Sequence, residues 1–420
     1  ASDVYKRQDH TTTVVSRRRF LAGAAAGTVA STTAARVLTP TWAFATPADP
    51  TRGDVIVAIT LRGGLDGLSL SPPHGDPAYR ALRPTIAIPS PGAPGGAIDL
   101  DGTWGLHPAM APLWNRAGLD GRLAVVRGVG IPDSMSRTRS HFEASEYWDR
   151  GRRTTTGTGW ATRHLRGGSG LPARSFGSST HPVFAGHQRV MSGRGLTLSF
   201  RSFDARGEVL SALSTAYGGS SPIDVAGRAA VGAASVLNSV DWDAYGPATD
   251  PGYPGTGLGR DLGDTARMIR AGIGLQAVAL AQGGYDTHVG QGDGTGGNLA
   301  ARLDDLARSL AAFWDDLGPA AREEVTIVVM SEFGRTLLEN GDAGTDHGRA
   351  TTMLVLGGTT NGGLHGVSAS LDPDVDRNAW PVTTDYRTVL AEILTRRRAE
   401  GDLATVFPGY AAQPFLGLVA

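Results

Sequence analysis

The sequence predicts an α/β fold, a three-layer α/β/α sandwich with a mostly parallel central sheet. Short, continuous apolar runs, typical of buried strands, occur at 54–61, 123–127, 325–330 and 352–356. Helical patterns separate these runs, and strands that alternate with helices form parallel sheets covered on both faces. Hydrophobic residues make up 40% of the chain and charged residues 19%, enough to bury a large core.

The remaining elements follow from periodicity and composition. The segment 298–317 places its apolar residues on one face of a 3.6-residue period: Leu299, Leu303, Leu306, Leu310, Phe313, Trp314 and Leu317. The other predicted helices are, in chain order, 108–119, 139–150, 158–165, 206–240, 260–272 and 385–394. A further short strand is predicted near 275–281. The stretch 244–259, rich in Gly, Pro and Tyr, is predicted to be a surface loop.

The composition excludes several kinds of chemistry. The chain of 420 residues has no cysteine, so it has no disulfide, no thiol nucleophile and no Cys-ligated metal. Lys6 is its sole lysine. Walker A loops, kinases and pyridoxal enzymes all need a lysine in the folded body, and all three are excluded. Chemistry must therefore rest on Asp, Glu, His, Ser, Thr, Tyr or Arg, with or without a metal.

The N-terminal segment has the pattern of an export signal. Arg17, Arg18 and Arg19 precede a mildly apolar run rich in Ala, Gly and Thr, and the small-residue motif at 43–45 follows. This combination is typical of a twin-arginine signal peptide. We therefore predict a tail and signal over 1–45, a single domain over 46–420, and a periplasmic or extracellular location.

The charge balance argues against nucleic acid as a partner. Residues 1–45 contain six basic and two acidic groups, a net charge of +4. Removing them changes the net charge from −1 to −5. The remaining chain then has no excess of basic residues with which to bind a nucleic acid. No later run approaches the ~20 apolar residues of a membrane span, so we expect no integral membrane segment after cleavage.

Polar side chains follow each predicted strand, at the edge where open α/β sheets bind ligands. The candidates, in chain order, are Asp66, Ser140, His141, Asp286, His288, Glu332, Arg335, Asp346, His347 and His365. Their oxygen and nitrogen atoms suit a divalent metal such as zinc, manganese or magnesium.

Taken singly, each candidate also has a structural interpretation. Asp66 sits in a Gly-rich turn and Ser140 precedes a helix, so they suit a turn former and an N-cap. The ring of His141 fits packing under the sheet, and Glu332 fits a surface pair with Arg335. The segments 286–288 and 346–348 also fit simple turns. The functional interpretation therefore rests on the joint placement of all these residues at strand ends.

Several motifs together resemble one bacterial family, labelled domain of unknown function 1501, over about residues 54–417. The motifs, in the family's order, are LRGGLDG, SHFEASEYWDRG, GTGWATRHL, GGYDTH, SEFGRT…EN…GTDHG and TTDYRTVLAEIL. That family looks like a branch of the alkaline phosphatase and sulfatase superfamily. The resemblance implies an alkaline phosphatase-like fold, one or two divalent metals, and hydrolysis or transfer of phosphate or sulfate esters through a nucleophile at a helix start.

The resemblance also implies roles for single residues. Asp66 matches the superfamily's first metal aspartate. The nucleophile should begin a helix that ends in a Gly, here Gly151, which indicates Ser140 or His141, of which Ser140 alone carries a hydroxyl. Asp286 and His288 match the Asp…His pair of the other metal, although here two residues separate them where several members have four.

The final pair of ligands has two alternatives. Asp346 and His347 resemble the superfamily's Asp-His-Gly motif, but Glu332 occupies the place directly after the strand. If Glu332 replaces the aspartate, His347 takes the later single-histidine position, for which His365 competes. Arg335 is a candidate clamp for the ester oxyanion, and Arg139 and Arg349 are its alternatives.

The resemblance, with the export pattern of the N-terminal segment, therefore implies an exported, metal-dependent hydrolase of phosphate or sulfate esters on small molecules or polymers, with Ser140 as nucleophile. One alternative is a non-catalytic protein that retains the fold and binds a metal or ligand. Another is an exported enzyme, such as a mutase or lyase, that reuses the site.

Overall fold

The computed structural model describes residues 54–165, 171–187, 189–196, 206–247 and 249–420. The segment 1–45, with its predicted twin-arginine signal, lies outside the described residues. None of the helices in the described part combines the length and apolar character that a membrane span requires.

The strands occur in the order predicted, with several short additions. They are β1 (Val55–Arg62), β2 (Ile98–Asp99), β3 (Gly105–Leu106), β4 (Leu123–Gly130), β5 (Ala173–Phe176), β6 (Val190–Gly193), β7 (Ala277–Gly283), β8 (Val325–Met330), β9 (Thr351–Gly357), β10 (Gly363–His365) and β11 (Thr384–Asp385). β2 and β3 pair with each other, and the others form one sheet.

The central sheet has the order β10-β4-β9-β8-β1-β7-β5-β6, and β11 also pairs with β4. Among the described strands of this sheet, β9 alone runs antiparallel to its neighbours, β4 and β8. The pairs of β1 with β7 and with β8 are parallel. The carboxyl ends of β1, β7 and β8 therefore meet at one edge, where the sequence places its candidates.

The helices in the described residues are α1 (Gly67–Leu70), α2 (Pro77–Leu82), α3 (Ala111–Leu113), α4 (His141–Arg150), α5 (Trp160–His164), α6 (Arg206–Ala216), α7 (Pro222–Ser239), α8 (Gly257–Arg270), α9 (Asn298–Glu323), α10 (Tyr386–Arg398) and α11 (Leu403–Val406). Short 3₁₀ segments lie at Pro108–Met110, Pro182–Phe184 and Trp242–Tyr245, and a π turn lies at Trp114–Gly118.

The core has two layers, one on each face of the sheet. Val57, Ile59 and Leu61 of β1 pack in one buried cluster with α8 and α9. Ile56 and Ala58, which point to the opposite face, pack with α4 and α10. Successive residues of a strand point to opposite faces of its sheet. Both faces of a sheet are apolar only when other elements cover both of them, as the helices do here. The predicted α/β fold with a mostly parallel sheet between helices is confirmed.

Two predicted helices differ from those observed. The predicted helix 108–119 is divided into 3₁₀, α and π turns, because the prolines at 108 and 112 lack backbone donors. The predicted helix 206–240 consists of α6 and α7, separated where two glycines precede Pro222. The predicted end of 298–317 coincides with a non-helical Gly318 inside α9, at φ 66°.

We expect Leu303→Ala to destabilise the fold by about 2–5 kcal/mol, since the substitution leaves a cavity in the core. Leu303 lies on α9, is fully buried, and belongs to the cluster that packs on β1. Urea denaturation measures the change in the free energy of unfolding. Leu119→Ala is the matched control, because Leu119 is 68% exposed and its truncation should cost less than about 0.5 kcal/mol. Equal losses in the two variants would contradict the assigned core.

Candidate metal centre

The loops after β1 and β7 lie in direct contact at the carboxyl edge of the sheet. Gly63 has a φ of 125°, and a Cβ atom built there would lie 2.3 Å from the backbone nitrogen of Asp286. A side chain at position 63 would force the two loops apart. The glycine after the first strand thus lets the Asp286 loop approach closely.

Three predicted residues converge at this edge, and we call them the His–Asp cluster: His141, Asp286 and His347. His141 Nε2 lies 3.0 Å from His347 Nε2. Asp286 Oδ1 lies 3.6 Å from the first of these nitrogens and 3.3 Å from the second. In the described part of the chain, these residues form the group whose ligand atoms are close enough to hold one metal ion.

The partners of the two rings determine which nitrogen faces the cluster. His141 Nδ1 lies 2.8 Å from Glu332 Oε1, and His347 Nδ1 lies 2.9 Å from the backbone oxygen of Arg139. A carboxylate and a carbonyl oxygen only accept, so each Nδ1 carries the hydrogen. In the neutral rings both Nε2 lone pairs therefore point towards Asp286, as metal-binding histidines require.

This arrangement places electron-rich atoms against one another. Two nitrogen lone pairs and a carboxylate oxygen, 3.0–3.6 Å apart, repel unless a positive charge lies between them. Either a proton or a metal ion can supply that charge. Ligand bonds of about 2.0–2.2 Å in tetrahedral geometry separate neighbouring donor atoms by about 3.3–3.5 Å. The spacing of the cluster and its donor types fit a divalent metal.

Glu332 lies behind His141 and is 2% exposed. Its Oε1 accepts from His141 and from the Gly63 backbone N–H at 2.8 Å, and its Oε2 accepts from Ser331 at 3.1 Å. Burial opposes the charge, but the hydrogen bonds from His141 and the backbone keep the pKa of Glu332 below its ordinary value. We interpret Glu332, predicted as a ligand, as the group that orients His141.

The charges around the cluster shift its histidines in opposite directions. The hydrogen bond that His141 donates to Glu332 raises the pKa of His141 against the effect of burial. Burial and the nearby Arg335 guanidinium lower the pKa of His347. Burial also opposes the charge of Asp286, yet the bond from Arg335 keeps the pKa of that carboxyl low. These surroundings thus favour the charged carboxylate at Asp286 and the neutral ring at His347.

His288 and Asp346 lie beside the cluster. His288 Nε2 is 3.1 Å from Asp286 Oδ1, and its Nδ1 is 3.0 Å from Asp346 Oδ1. The side chain of Asp346 is 63% exposed and that of His288 is 39% exposed. His288 therefore faces the same carboxylate oxygen as the two histidines of the cluster, and Asp346 contacts its other ring nitrogen.

Arg335 was predicted to clamp an oxyanion, and the structure assigns it a different role. It is 1% exposed. Its guanidinium donates to Asp286 Oδ1 at 2.5 Å and to the backbone oxygens of Gly63, Gly64, Tyr285 and Thr345. With its donors committed, Arg335 fixes the loops after β1 and β7 and is not available to a substrate.

Asp66 lies outside the cluster, because a buried arginine holds it. Arg83 donates to both carboxylate oxygens, at 2.6 and 3.1 Å, and both side chains are almost completely buried. Ser69 and Gln291 also donate to Oδ2, and the Leu68 backbone N–H donates to Oδ1. These bonds fill the carboxylate's acceptor positions, which leaves none for a metal. Asp66 is therefore reinterpreted as a structural anchor.

His365 also lies apart. It sits on β10 at one end of the sheet, and three strands separate β10 from β1. Its Nε2 lies 2.8 Å from the backbone oxygen of Asn361 and its Nδ1 lies 3.3 Å from that of Leu416. The competition between His347 and His365 for the cluster is decided in favour of His347.

Ser140 occupies the N-cap position of α4, and no capping hydrogen bond from its side chain is found. It is exposed, and it directly precedes His141. The helix ends at Gly151 in the left-handed conformation, as predicted. Ser140 therefore stands at the start of a ten-residue helix, next in sequence to His141 of the His–Asp cluster.

Sequence reasoning missed Arg83 and the contribution of Arg139. Arg83 pairs with Asp66 across 17 residues, a spacing with no periodic signal. The backbone oxygen of Arg139 orients His347, and a backbone group cannot be inferred from residue type.

Residues 251–400 match the family described as Protein of unknown function (DUF1501). The predicted resemblance to this family is confirmed over that range. The matched range includes Asp286 and His347 of the cluster, and Glu332. Ser140 and His141 lie before it. No curated protein matches the chain.

Two solved structures are similar at low identity. One is the C-terminal periplasmic domain of EcEptC from Escherichia coli, at 10% identity and a TM-score of 0.29, over 74% of each chain. The other is the alkaline phosphatase from the Antarctic bacterium TAB5, at 10% identity and a TM-score of 0.28, over 73% of this chain and 92% of that one. Likenesses at this level carry no conclusion about activity.

Proposed function

We propose that this chain, whose residues 251–400 match the family described as Protein of unknown function (DUF1501), is a metal-dependent hydrolase of phosphate or sulfate esters. The observation that carries the proposal is the convergence of His141 Nε2, His347 Nε2 and Asp286 Oδ1 within 3.6 Å of one another. Three protein ligands with an open side are the pattern of a catalytic metal site. The half-exposed Asp286 side chain gives the cluster that open side.

The donor set favours some metals over others. Two imidazole nitrogens and one carboxylate suit zinc or manganese better than magnesium, which prefers oxygen ligands. When bound, such an ion acts as a Lewis acid that stabilises negative charge on an ester's oxygens and acidifies a nearby hydroxyl. The chain's own part is to hold the two imidazoles and the carboxylate in place, through Glu332, the Arg139 carbonyl and Arg335.

Ser140 is the proposed nucleophile. Its Oγ would lose its proton to water and attack the phosphorus or sulfur atom, the ester bond would break, and the leaving alcohol oxygen would take up a proton from water. Water would then cleave the seryl ester and release phosphate or sulfate, which regenerates the hydroxyl. The first backbone N–H groups of α4 point towards an anion bound at this end of the helix.

A non-catalytic metal-binding protein is the second candidate function. The contacts of Ser140 favour it, because no side-chain base among the described residues makes a hydrogen bond to its hydroxyl. A metal-activated serine does not need such a base, whereas an unactivated serine does. Both candidate functions therefore require a bound metal, but only the hydrolase turns over an ester.

We expect Ser140→Ala to reduce hydrolysis by about 10³-fold or more, since it removes the attacking atom. Turnover of p-nitrophenyl phosphate and p-nitrophenyl sulfate, with zinc or manganese supplied, is the measurement. Ser239→Ala is the control, because Ser239 bonds only within α7 to the Val236 backbone. Wild-type activity in Ser140→Ala would reject the nucleophile. Metal binding without turnover of any ester would favour the second candidate.

Export to the periplasm or beyond remains part of the proposal. It rests on the arginines and the small-residue motif of residues 1–45, and cell fractionation would check it. We propose small-molecule or polymer esters as substrates, because all three residues of the cluster are at least partly exposed.

A further inference from the structure

Gln291 is fully buried in the loop between β7 and α9, and the hydrogen bonds of its side-chain amide are all made to other side chains. Its Nε2 donates to Asp66 Oδ2 at 2.6 Å and to Ser69 Oγ at 3.0 Å. Its Oε1 accepts from Thr287 Oγ1 at 2.7 Å and from Thr345 Oγ1 at 2.8 Å. One side chain thus joins four others that come from three separate loops.

The two threonines are next to the proposed ligands. Thr287 directly follows Asp286, and Thr345 precedes Asp346 and His347 by one and two residues. The Thr345 backbone N–H also donates to the Thr287 backbone oxygen at 3.1 Å. Both threonines are buried. The acceptor end of Gln291 therefore binds the two loops that supply Asp286 and His347.

The donor end of Gln291 binds Asp66, which belongs to a buried ion pair. Asp66 is held by Arg83, which also donates to the backbone oxygens of Thr336 and Leu337 at 2.7 and 2.8 Å. These contacts tie the turn after β1 to the segment after β8. Gln291 connects this buried ion pair to the ligand loops.

We propose that Gln291 is a positioning residue, which sets the distance between Asp286 and His347 for metal binding. This inference rests on the proposed metal site. Only an amide donates to Asp66 and accepts from both threonines at once. A leucine at 291 would leave Asp66, Thr287 and Thr345 each with an unmade bond in a buried place, and the loops would separate to reach water.

Three variants of the full chain test the inference. Gln291→Leu removes the whole bridge, and the double variant Thr287→Val/Thr345→Val removes only its bonds to the ligand loops. Thr265→Val is the matched control: Thr265 is equally buried, but its hydroxyl donates to a backbone oxygen within α8. Zinc affinity by competition titration, the visible spectrum of bound cobalt and thermal unfolding are measured for each.

We expect zinc to bind about 10–100-fold more weakly to the first two variants, the usual effect of losing a group that orients a ligand. The cobalt spectrum should change in both, since it reports ligand geometry, whereas Thr265→Val should retain the wild-type affinity and spectrum. If Gln291→Leu does not fold, the double valine variant decides.

Wild-type affinity and an unchanged spectrum in a folded Gln291→Leu or double valine variant would overturn the positioning role. An equal loss in Thr265→Val would overturn it too, because the effect would then be general destabilisation. If the wild-type chain binds neither zinc nor cobalt, the proposed metal site itself fails, and the inference fails with it.

Discussion

Asp286→Asn should weaken zinc binding more than about a hundredfold, a larger effect than loss of an orienting group produces. Asp286 supplies the negative charge on which both Nε2 atoms converge, and its Oδ1 also accepts from Arg335. Asparagine keeps the size of the side chain but removes the charge that holds a cation. Isothermal titration with zinc, or metal analysis after dialysis, measures the loss.

Asp304→Asn controls for a general change of charge. Asp304 lies on α9 and pairs with Arg308 at the surface, so its neutralisation should leave zinc binding unchanged. A folded Asp286→Asn variant that binds zinc as tightly as the wild type would remove Asp286 from the metal site. It would leave the His–Asp cluster without its anionic ligand.

The second large effect concerns stability: Arg83→Met should lower the free energy of unfolding by about 3–5 kcal/mol. Arg83 and Asp66 are both buried, and methionine would leave the carboxylate without its charged partner. Burial alone raises the pKa of Asp66, and Arg83 is the main group that reverses this shift. Urea denaturation at neutral pH measures the loss.

Arg308→Met is the matched control for Arg83→Met. Arg308 and Asp304 form an exposed i,i+4 pair, and such pairs contribute less than about 1 kcal/mol. A loss below 1 kcal/mol in Arg83→Met would contradict the anchoring role assigned to the buried pair. Asp66 would then again be a candidate ligand.

The fold was predictable where local patterns are strong. The apolar run of β8 was predicted with the bounds observed, and the 3.6-residue period predicted the start of α9 and ended it just before the non-helical Gly318, six residues before its observed end. The four-residue strands β5 and β6 were missed, because short strands give no periodic signal. Parallel pairing of β1 with β7 and β8 then brought the strand ends together, as predicted.

The candidate site was only partly predictable, because its contacts join residues far apart in the chain. His141 meets Glu332 across 191 residues and His347 across 206, and no spacing in the sequence encodes such pairs. The residue types of Asp66 and His365 suited a metal as well as those of Asp286 and His347 did. Their partners, a buried arginine and two carbonyl oxygens, separate them from the cluster, and only the structure reveals those partners.

The most direct measurement is the position of a bound metal in crystals grown with zinc or cobalt, located by anomalous scattering. The account predicts a single strong peak about 2.0–2.2 Å from His141 Nε2, His347 Nε2 and Asp286 Oδ1, with the Glu332 carboxylate still bound to His141 Nδ1. A strong peak elsewhere, or none at saturating metal, would contradict the proposed centre.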